Sequence, residues 1–297
     1  MATFKTSAQA GNREILLDLV TYISRETTPF LSSLKKKKTS GTYTEWMTQA
    51  LPTPTGDIAN EGAAWSAGTV TARVRTGNYA QILRKCYTIS RTQDKVDKAG
   101  VGSEVAEQRK LAFKDHARDI EYALLNGTGL SGTSRRLKGI RSWISTATTG
   151  SATGTQTLDE DMFIDNLQAI WDNNGRPTDT YVNAFQKRKI NSFAGSEGST
   201  ATVNVNVDQA SKTLTSMVSF YVSDFGVLKI HLHDLATTTE VLNLQQDMWE
   251  VAFFDGPNEG EVLPGAVDGT SFGIVSELTL ISKNQLFSAK ITELATS

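Results

Sequence analysis

The stretch that decides the fold runs from Ser103 to Leu125 and reads SEVAEQRKLAFKDHARDIEYALL. Its apolar residues recur with a period near 3.6, which predicts one amphipathic helix roughly 35 Å long. Ser103 is suited to cap its first turn, and Asn126-Gly127 favours a left-handed exit. We expect this helix to be a spine on which the other elements lie. The predicted buried face comprises Val105, Ala112, Phe113, Ala117, Ile120 and Leu124, and the opposite face carries Lys110, Lys114, Asp115, Arg118, Asp119 and Glu121.

The composition is that of a folded chain without a strong electrostatic field. Its 297 residues, 39% of them hydrophobic, are enough for one large or two ordinary domains. A formal charge of −2 argues against tight, salt-sensitive binding of nucleic acid, so any DNA contact should be local and weak. Cys86 is the single cysteine, which rules out an internal disulfide. No apolar run approaches the roughly 18 residues of a membrane span, and we expect synthesis in the cytoplasm and no membrane partner.

The segment before the spine begins with residues 1–40, which show no core of their own. Arg13–Ser24 has the pattern of a short helix, and Thr28-Pro-Phe-Leu31 should end it. Lys35–Lys38 are four adjacent like charges, typical of a solvated, self-repelling segment, with a phosphate or acidic partner as the alternative. An extended N-terminal arm is the simplest description.

Residues 41–90 predict a long extended loop. Strands are expected at Gly41–Ala50 and Thr69–Thr76, and a further strand, Tyr79–Ser90, is expected after Gly77-Asn78. A continuous strand from residue 69 to 90 would extend about 70 Å, far beyond the radius of gyration of about 19 Å expected for the chain. A polar ribbon of that length is marginal alone, so its stability should come from neighbouring chains.

The remainder mixes helices and strands, which makes the chain α+β. Residues 127–154 are rich in loops, with Leu137, Ile140, Trp143 and Ile144 as anchors. Thr157-Leu-Asp-Glu160 reads as a capping box that starts a helix through Asp172. A short strand (Thr180–Asn183) and a helix (Ala184–Phe193) follow. Further strands are predicted at Val203–Val207, Thr213–Val222, Gly226–Leu232, Glu240–Leu244, Trp249–Phe254, Phe272–Ile281 and Leu286–Leu294.

Three motifs resemble binding sites without meeting the requirements of one. The glycine spacing of Gly127–Gly132 is that of a dinucleotide loop, but it follows a helix instead of a strand, which favours a helix-ending loop. His231 and His233 share one side of a predicted strand beside Asp234, yet no further ligand is in place for zinc, and surface histidines are the simpler interpretation. Asp159–Asp161 suit the first turn of a helix and need no metal.

The sequence also lacks the motifs of covalent catalysis. No Gly-x-Ser-x-Gly elbow occurs, the single cysteine has no evident local partner, and three histidines leave little acid-base capacity near neutral pH. We therefore predict a protein that is not an enzyme, with no cofactor and no metal. Long reaching arms without a site are typical of an assembly subunit.

Several short segments, in this order, resemble one family of proteins. They are Thr28-Pro-Phe-Leu31, Tyr43-Thr-Glu-Trp46, Asn78-Tyr-Ala-Gln-Ile82, Asp119-Ile-Glu121 before Leu125-Asn-Gly127, Gly139-Ile-Arg-Ser-Trp143-Ile144 and Glu277-Leu-Thr-Leu280. The chain is thereby similar to major capsid proteins of tailed bacteriophages with the Hong Kong 97-type fold, in a podovirus-like family.

The resemblance implies a structural role and a division of the chain. The protein would self-assemble into pentamers and hexamers of a phage head enclosing double-stranded DNA, and would be located in the virion. Its implied partners are other copies of itself, a portal protein, a possible scaffolding or decoration protein, and loosely the packaged DNA. The implied parts are an N-terminal arm (1–40), an extended β-hairpin loop (41–90), a peripheral domain (91–154) with the spine helix (103–125), an axial domain (155–270) and C-terminal strands returning to the peripheral domain (271–297).

On that basis, we choose candidate contacts between subunits in the arm and the loop. Two other classes stay open: an encapsulin-like compartment shell, and a β-rich binding or adhesion module, with a hydrolase as the weakest. The candidate contact residues are Lys35, Lys36, Lys37, Lys38, Glu45, Trp46, Glu61, Trp65, Arg73 and Arg75.

Overall fold

The computed structural model describes residues 28–52, 54, 56, 58–65, 68, 70–96, 102–150, 156–193, 220–261 and 268–296. Helices and strands are mixed along the chain, so the α+β prediction is confirmed. The helices are α1 (Pro29–Ser33), α2 (Arg91–Lys95), α3 (Glu104–Asn126), α4 (Ile140–Trp143), α5 (Glu160–Asp172) and α6 (Ala184–Phe193). The strands are β1 (Lys35–Lys38), β2 (Tyr43–Thr48), β3 (Val74–Tyr79), β4 (Gln81–Ser90), β5 (Thr128–Leu130), β6 (Arg136–Lys138), β7 (Ala147–Thr149), β8 (Asp179–Val182), β9 (Phe220–Ser223), β10 (Gly226–Leu232), β11 (Val241–Leu244), β12 (Trp249–Glu261), β13 (Gly269–Ser282) and β14 (Ser288–Thr292).

The predicted spine helix is confirmed as α3. The hydroxyl of Ser103 accepts a hydrogen bond from the Ala106 amide at 3.4 Å, which confirms the predicted N-cap. The predicted left-handed exit is wrong, because Gly127 has a φ of −55°. Glycine is needed there for space instead, since a Cβ would lie 2.4 Å from the carbonyl oxygen of Leu137.

The buried face of α3 is wider than predicted. Glu121, expected on the solvated face, is fully buried, whereas Phe113 is partly exposed. The reason is that α3 is covered from several sides, by β4 and β13 of one sheet and by α1 and α4. The residues of α3 that are buried are Ala112, His116, Ile120, Glu121, Ala123, Leu124 and Leu125.

A four-stranded sheet in the order β1-β12-β13-β4 lies against α3. Strands β12 and β13 form a long antiparallel hairpin with register shifts between Phe253 and Asn258. The main core forms between this sheet, α1, α3 and α4, and it includes Phe30 and Trp249. Residues 29–38 therefore pack on the body of the subunit, where Phe30 and Leu34 join a core completed by distant segments. The predicted helix Arg13–Ser24 lies outside the described residues.

A six-stranded sheet in the order β7-β14-β11-β8-β10-β9 forms a second layer with α5 and α6. The side chain of Asn166, on α5, is fully buried against it. It donates to the carbonyl of Lys290 at 3.0 Å and to the hydroxyl of Thr148 at 2.9 Å, and accepts from Asn243 at 2.9 Å. Because a buried amide is costly without these partners, the network fixes how α5 lies on the sheet.

The two sheets combine segments from several of the predicted parts of the chain. Strand β12, from the segment 155–270, pairs with β1 and β13 in the four-stranded sheet. Strand β14, from the segment 271–297, pairs with β7 and β11 in the six-stranded sheet. The chain crosses between the sheets at Gln245–Trp249, where a 3-10 turn separates β11 from β12.

Strands β2 and β3 pair as a separate antiparallel ribbon, from Tyr43 opposite Tyr79 to Thr48 opposite Val74. The break predicted at Gly77-Asn78 is wrong, since both residues lie within β3. Asn78 is buried, and its side chain donates to the carbonyls of Lys138 and Leu280 at 3.0 and 2.8 Å. A dipeptide typical of a turn is used here to dock the base of the ribbon onto the body.

The C-terminal half follows the predicted elements with shifted ends. Helix α5 is capped by Asp159, whose carboxylate accepts from the Met162 amide at 2.8 Å, so the capping box expected at Thr157 is wrong. The strand Gly226–Leu232 is confirmed. The strand Val203–Val207 and residues 213–219 lie outside the described residues. The glycine segment after α3 contributes β5 to a hairpin with β6, and the anchors Leu137, Ile140, Trp143 and Ile144 are all buried.

Among the described residues, no helix is both long and apolar enough to cross a membrane.

Candidate assembly surfaces

The extended loop, which we define as residues 41–79, presents large apolar side chains to solvent. Its ribbon base is β2 paired with β3, and residues 49–73 connect the two strands. Trp65 is fully exposed, and Leu51, Ile58 and Val70 are nearly so. Such a concentration of exposed apolar side chains on one segment marks an interaction surface.

The candidate residues at the base of the extended loop mostly contact each other. Arg75 pairs with Glu45 across the ribbon, and this hydrogen bond raises the pKa of the Arg75 guanidinium. Arg73 donates to the side-chain oxygen of Gln49 at 3.2 Å. Trp46 packs inward, with its ring centroid 5.7 Å from that of Trp143. These four residues stabilise the loop and its junction, which leaves the exposed Glu61 and Trp65 as the candidates oriented to solvent.

The lysines Lys35–Lys38, predicted to be solvated, are exposed and form strand β1. They pair in parallel with Glu250–Phe253 of β12 at the edge of the four-stranded sheet. All four side chains are exposed, and the Nζ of Lys37 lies 2.5 Å from Oε2 of the buried Glu250. The charges are tolerated because the strand is at an edge, where lysines also discourage pairing with other strands.

Glu250, on β12, forms ion pairs with two other segments of the chain, through Lys37 on β1 and Lys283 directly after β13. Its Oε1 lies 2.7 Å from Nζ of Lys283, and its Oε2 faces Lys37. Burial raises the pKa of the Glu250 carboxyl, but the two lysines outweigh burial and leave that pKa below its usual range.

We expect Glu250→Gln to reduce the sensitivity of the subunit to acid. Because folding lowers the pKa, the carboxylate stabilises the folded chain fully above its unfolded pKa of about 4.3. That contribution is lost as the pH falls through the lower folded pKa. Urea unfolding at pH 7 and pH 3 should therefore show a larger loss of stability in the original chain than in the variant. Asp247→Asn, which removes an exposed carboxylate nearby, is the matched control, and equal losses in the original chain and Glu250→Gln would contradict the expectation.

A second candidate surface is a groove of about 820 Å³ that we call the spine groove. It lies between α3, the end of α1, β1 and the irregular part of β12. Its floor is apolar and part of its rim is formed by lysines. The residues that line it are Leu31, Lys36, Lys37, Lys38, Phe113, His116, Ala117, Ile120, Phe253, Phe254, Asp255, Gly256, Pro257 and Asn258.

His116 is the polar residue in the floor of the spine groove. It is 1% exposed, and its Nε2 lies 2.7 Å from the hydroxyl of Ser276. Its Nδ1 has no hydrogen-bond partner among the described residues. Burial lowers the pKa of the imidazole, which favours the neutral ring.

A buried clamp of Glu121 and His233 lies beside the spine groove and joins three parts of the subunit. The Glu121 carboxylate accepts the amides of Phe30 and Leu31 at 2.8 and 2.7 Å, so it caps α1 from a distance. The same carboxylate lies 2.6 Å from Nε2 of His233. Since the Leu235 amide donates to Nδ1 of His233 at 3.0 Å, Nε2 carries the proton and donates to Glu121.

The histidines differ from the surface side chains predicted for them. His233 is 1% exposed, and His231 is partly buried, 2.7 Å from Asp179 and stacked on Tyr181. They do share one side of the sheet, as predicted. Burial raises the pKa of the Asp179 carboxyl, but hydrogen bonds from His231 and Thr178 outweigh it and lower that pKa overall. In the part of the chain that the structure describes, no group of three or more histidine, cysteine or acidic side chains is arranged to hold a metal.

Glu121 and His116 were missed as buried residues, although the sequence carries a signal for both. His116 continues the spacing of Ala112 and Ile120, and Glu121 follows Ala117 by four positions. The prediction placed Glu121 on the solvated face because its side chain is charged, although its position in the helix lies near the buried face. A reading by spacing alone would have placed both side chains near the core.

Comparisons with known proteins agree with one another. The sequence matches the family described as "SU10 major capsid protein" over residues 2–295. A curated major capsid protein of Escherichia phage Phieco32 is 31% identical over 125 residues, which is 42% of this chain. That alignment spans 36% of the length of the curated relative.

Solved structures share the fold at low sequence identity. The capsid asymmetric unit of cyanophage A-1(L) superposes with a TM-score of 0.70 at 13% identity, covering 99% of each chain. The holo-SrpI encapsulin complex of Synechococcus elongatus PCC 7942 gives 0.64 at 9% identity, covering 100% of this chain and 98% of that one. At such identities the similarity establishes the Hong Kong 97-type fold, but it does not distinguish phage head proteins from encapsulins.

Proposed function

The chain belongs to the family of SU10 major capsid proteins, and on that premise we propose that it is the structural subunit of a tailed-phage head. In this role the subunit polymerises, through pentamers and hexamers, into a closed shell around double-stranded DNA. The observation that carries the proposal, beyond the family itself, is the extended loop. Its fully exposed Trp65 and its neighbouring apolar side chains are not covered by any residue that the structure describes.

The proposed mechanism is mechanical and requires no chemical step. Each copy would make several modest interfaces, and linking them in one shell multiplies their effect because each later contact forms at a high effective concentration. Within the subunit, the base of the ribbon is already fixed by Asn78, Trp46 and the Arg75–Glu45 pair. An anchored base with an exposed tip suits a segment that lies across a neighbouring copy.

The further partners follow from the role. A closed head that is filled with DNA needs a portal protein at one vertex, and a scaffolding or decoration protein is compatible with the exposed surfaces. Contact with the packaged DNA should be weak and non-specific, since the net charge is −2. The proposed location is the virion, after synthesis in the host cytoplasm.

An encapsulin-like shell is the second candidate, favoured by the superposition on the SrpI encapsulin. The family match to phage capsid proteins over residues 2–295 supports the phage head instead. If the purified shells contained a packaged enzyme instead of DNA, that result would support the encapsulin-like shell.

Negative-stain electron microscopy of the purified chain, run with analytical ultracentrifugation at neutral pH, tests the proposal. We expect closed shells or rings of five and six subunits, and a fast-sedimenting species. A uniform monomer or dimer that persists when the neighbouring scaffold and portal proteins are added would contradict the proposed function.

A further inference from the structure

We propose that Lys138 is a positioning residue, which sets the direction in which the extended loop leaves the body of the subunit. This inference rests on the proposed shell-forming function, because a loop that reaches a neighbouring copy has to leave its own subunit at a defined angle. Lys138 lies on β6, in the hairpin that follows the spine helix. It is linked to both strands of the ribbon, directly to β3 through its backbone and indirectly to β2 through its side chain and Trp143.

The joint between the ribbon and the body is a single residue, Ala80. The strand before it, β3, pairs with β2, whereas the strand after it, β4, pairs with β13 from Gln81 onward. Ala80 is fully buried. Its amide donates to the carbonyl of Thr42 at 2.8 Å, and its carbonyl accepts from Nε of Arg135 at 3.3 Å. Because the pairing changes partner here, the sheet does not dictate the angle of the ribbon, and other contacts have to set it.

The first of these contacts holds β3. Asn78 bonds to Lys138 as one strand bonds to another, since its Oδ1 accepts from the Lys138 amide at 2.8 Å and its Nδ2 donates to the Lys138 carbonyl at 3.0 Å. The same Nδ2 donates to the carbonyl of Leu280, on β13, at 2.8 Å. Asn78 is buried, so the bonds of its amide are costly to break. One fixed point on one strand, however, does not define the direction of a two-stranded ribbon.

The second contact holds β2. The ring centroid of Trp46 lies 5.7 Å from that of Trp143, a separation typical of attractive aromatic pairs. The Nζ atom of Lys138 lies 4.2 Å from the centroid of the Trp143 ring, which is the geometry of a cation–π contact. Burial lowers the pKa of the Lys138 ammonium, so the charge is partly withdrawn from water. Because desolvation strengthens a cation–π contact, Lys138 holds the Trp143 ring and, through it, Trp46.

The two contacts grip each strand of the ribbon once, and both lead to Lys138. Its own place is set by the end of the spine helix, since the amide of the next residue, Gly139, donates to the carbonyl of Gly127 at 2.8 Å. A side chain at Gly139 has no room, because a Cβ would lie 2.6 Å from the Gly127 nitrogen. The direction of the loop is therefore fixed relative to α3. A loop that is held in one direction before it binds loses less conformational entropy on binding.

Distance measurements between spin labels test the positioning on unassembled subunits. In a Cys86→Ser background, labels at Met47→Cys on β2 and Val227→Cys on β10, both exposed, report the angle between ribbon and body. We expect one narrow distribution of distances in the otherwise unchanged chain and in Lys138→Arg, which keeps the cation, and broader distributions in Lys138→Ala and Trp46→Ala. Circular dichroism should be unchanged in Lys138→Ala, so that variant decides if Trp46→Ala does not fold. A broad distribution in the unchanged chain, or a narrow one in Lys138→Ala, would overturn the proposal.

Shell formation provides the second measurement. Lys138→Ala should raise the subunit concentration at which shells form by about fivefold, because only the fraction of loops that point towards the neighbour can bind. Lys229→Ala, which removes an exposed lysine of β10, is the matched control and should leave that concentration unchanged. Adding Trp46→Ala to Lys138→Ala should increase the effect only slightly, since both act through Trp143.

The two measurements separate this inference from the proposed function. Shells that form at the same concentration with Lys138→Ala as with the original chain would overturn the positioning and leave the proposed function standing. Failure of the original chain to form shells would contradict the proposed function, and the spin-label distances would still decide the positioning.

Discussion

Deleting residues 52–68 is expected to leave a folded subunit that no longer closes shells. The deletion removes Trp65, Ile58 and Glu61 but keeps the paired ribbon from Tyr43–Thr48 to Val74–Tyr79. Eight residues, 49–51 and 69–73, would then join Thr48 to Val74. Neighbouring strands are about 5 Å apart, so a loop of that length closes without strain.

The expectation of an intact fold follows from burial. Every side chain in 52–68 whose exposure is described is exposed, and the hydrogen bonds recorded near the loop base join Gln49 to Thr71 and Arg73 to Gln49, all of which are kept. Shortening an exposed loop from 25 to eight residues changes the closure free energy by only about 1 kcal/mol, in the stabilising direction. Circular dichroism and urea unfolding should therefore match the original chain.

Assembly should respond quite differently from folding. Without the exposed tip, electron microscopy and ultracentrifugation should show capsomers or monomers and no closed shells. A second variant, in which residues 52–68 are replaced by 17 residues of glycine and serine, keeps the reach of the loop and removes its side chains. It should fail as well. Normal shells from either variant would refute the proposal that the extended loop carries an assembly contact.

Glu121→Ala is expected to have the largest effect on folding stability of any single substitution considered. The substitution leaves the amides of Phe30 and Leu31 and the Nε2–H of His233 without their acceptor in a fully buried site. Each buried donor left without its acceptor costs about 1–3 kcal/mol, so the loss of the three hydrogen bonds should cost about 3 kcal/mol or more. The free energy of unfolding, measured in urea at pH 7, should fall by that amount.

Two further variants separate the clamp from general damage to α3. Tyr122→Ala changes the next residue, which is exposed, and should have little effect. Glu121→Gln keeps the size but turns one acceptor into an NH₂ donor that faces other donors, so it should still destabilise the subunit. In a double-mutant cycle, Glu121→Ala and His233→Ala should together cost less than the sum of the single changes. Additive losses, or a Glu121→Ala variant as stable as Tyr122→Ala, would contradict the clamp.

The local elements could be predicted because the interactions that form them lie within a few residues. The period of apolar residues placed α3, and the side chain of Ser103 capped it through an amide only three positions away. Helix α6 and strand β10 were predicted with the ends that the structure shows. The resemblance of short segments in a given order identified the family.

The candidate assembly surfaces were only partly predictable. The exposed tip with Glu61 and Trp65 could be chosen because a long polar ribbon has nothing of its own to cover it. Trp46 was chosen for the same reason, yet it packs on Trp143, nearly a hundred positions away. The pairing of Lys35–Lys38 with β12, and of Lys37 with the buried carboxylate of Glu250, could not be predicted because these partners lie far along the chain.

The sequence by itself determined the mixed α+β class, the spine helix and its N-cap, the bounds of α6 and β10, and the family of the chain. The tertiary structure alone decided which sheet β12 and β14 join, the burial of Glu121 and His233, the role of Asn78, and the existence of the spine groove. The physical reason is distance along the chain. Helical periodicity and capping act over three or four residues, whereas Glu121 meets the Phe30 amide across 91 positions and Asn78 meets the Leu280 carbonyl across 202. Such partners are selected by the packing of the whole subunit, which no local pattern encodes.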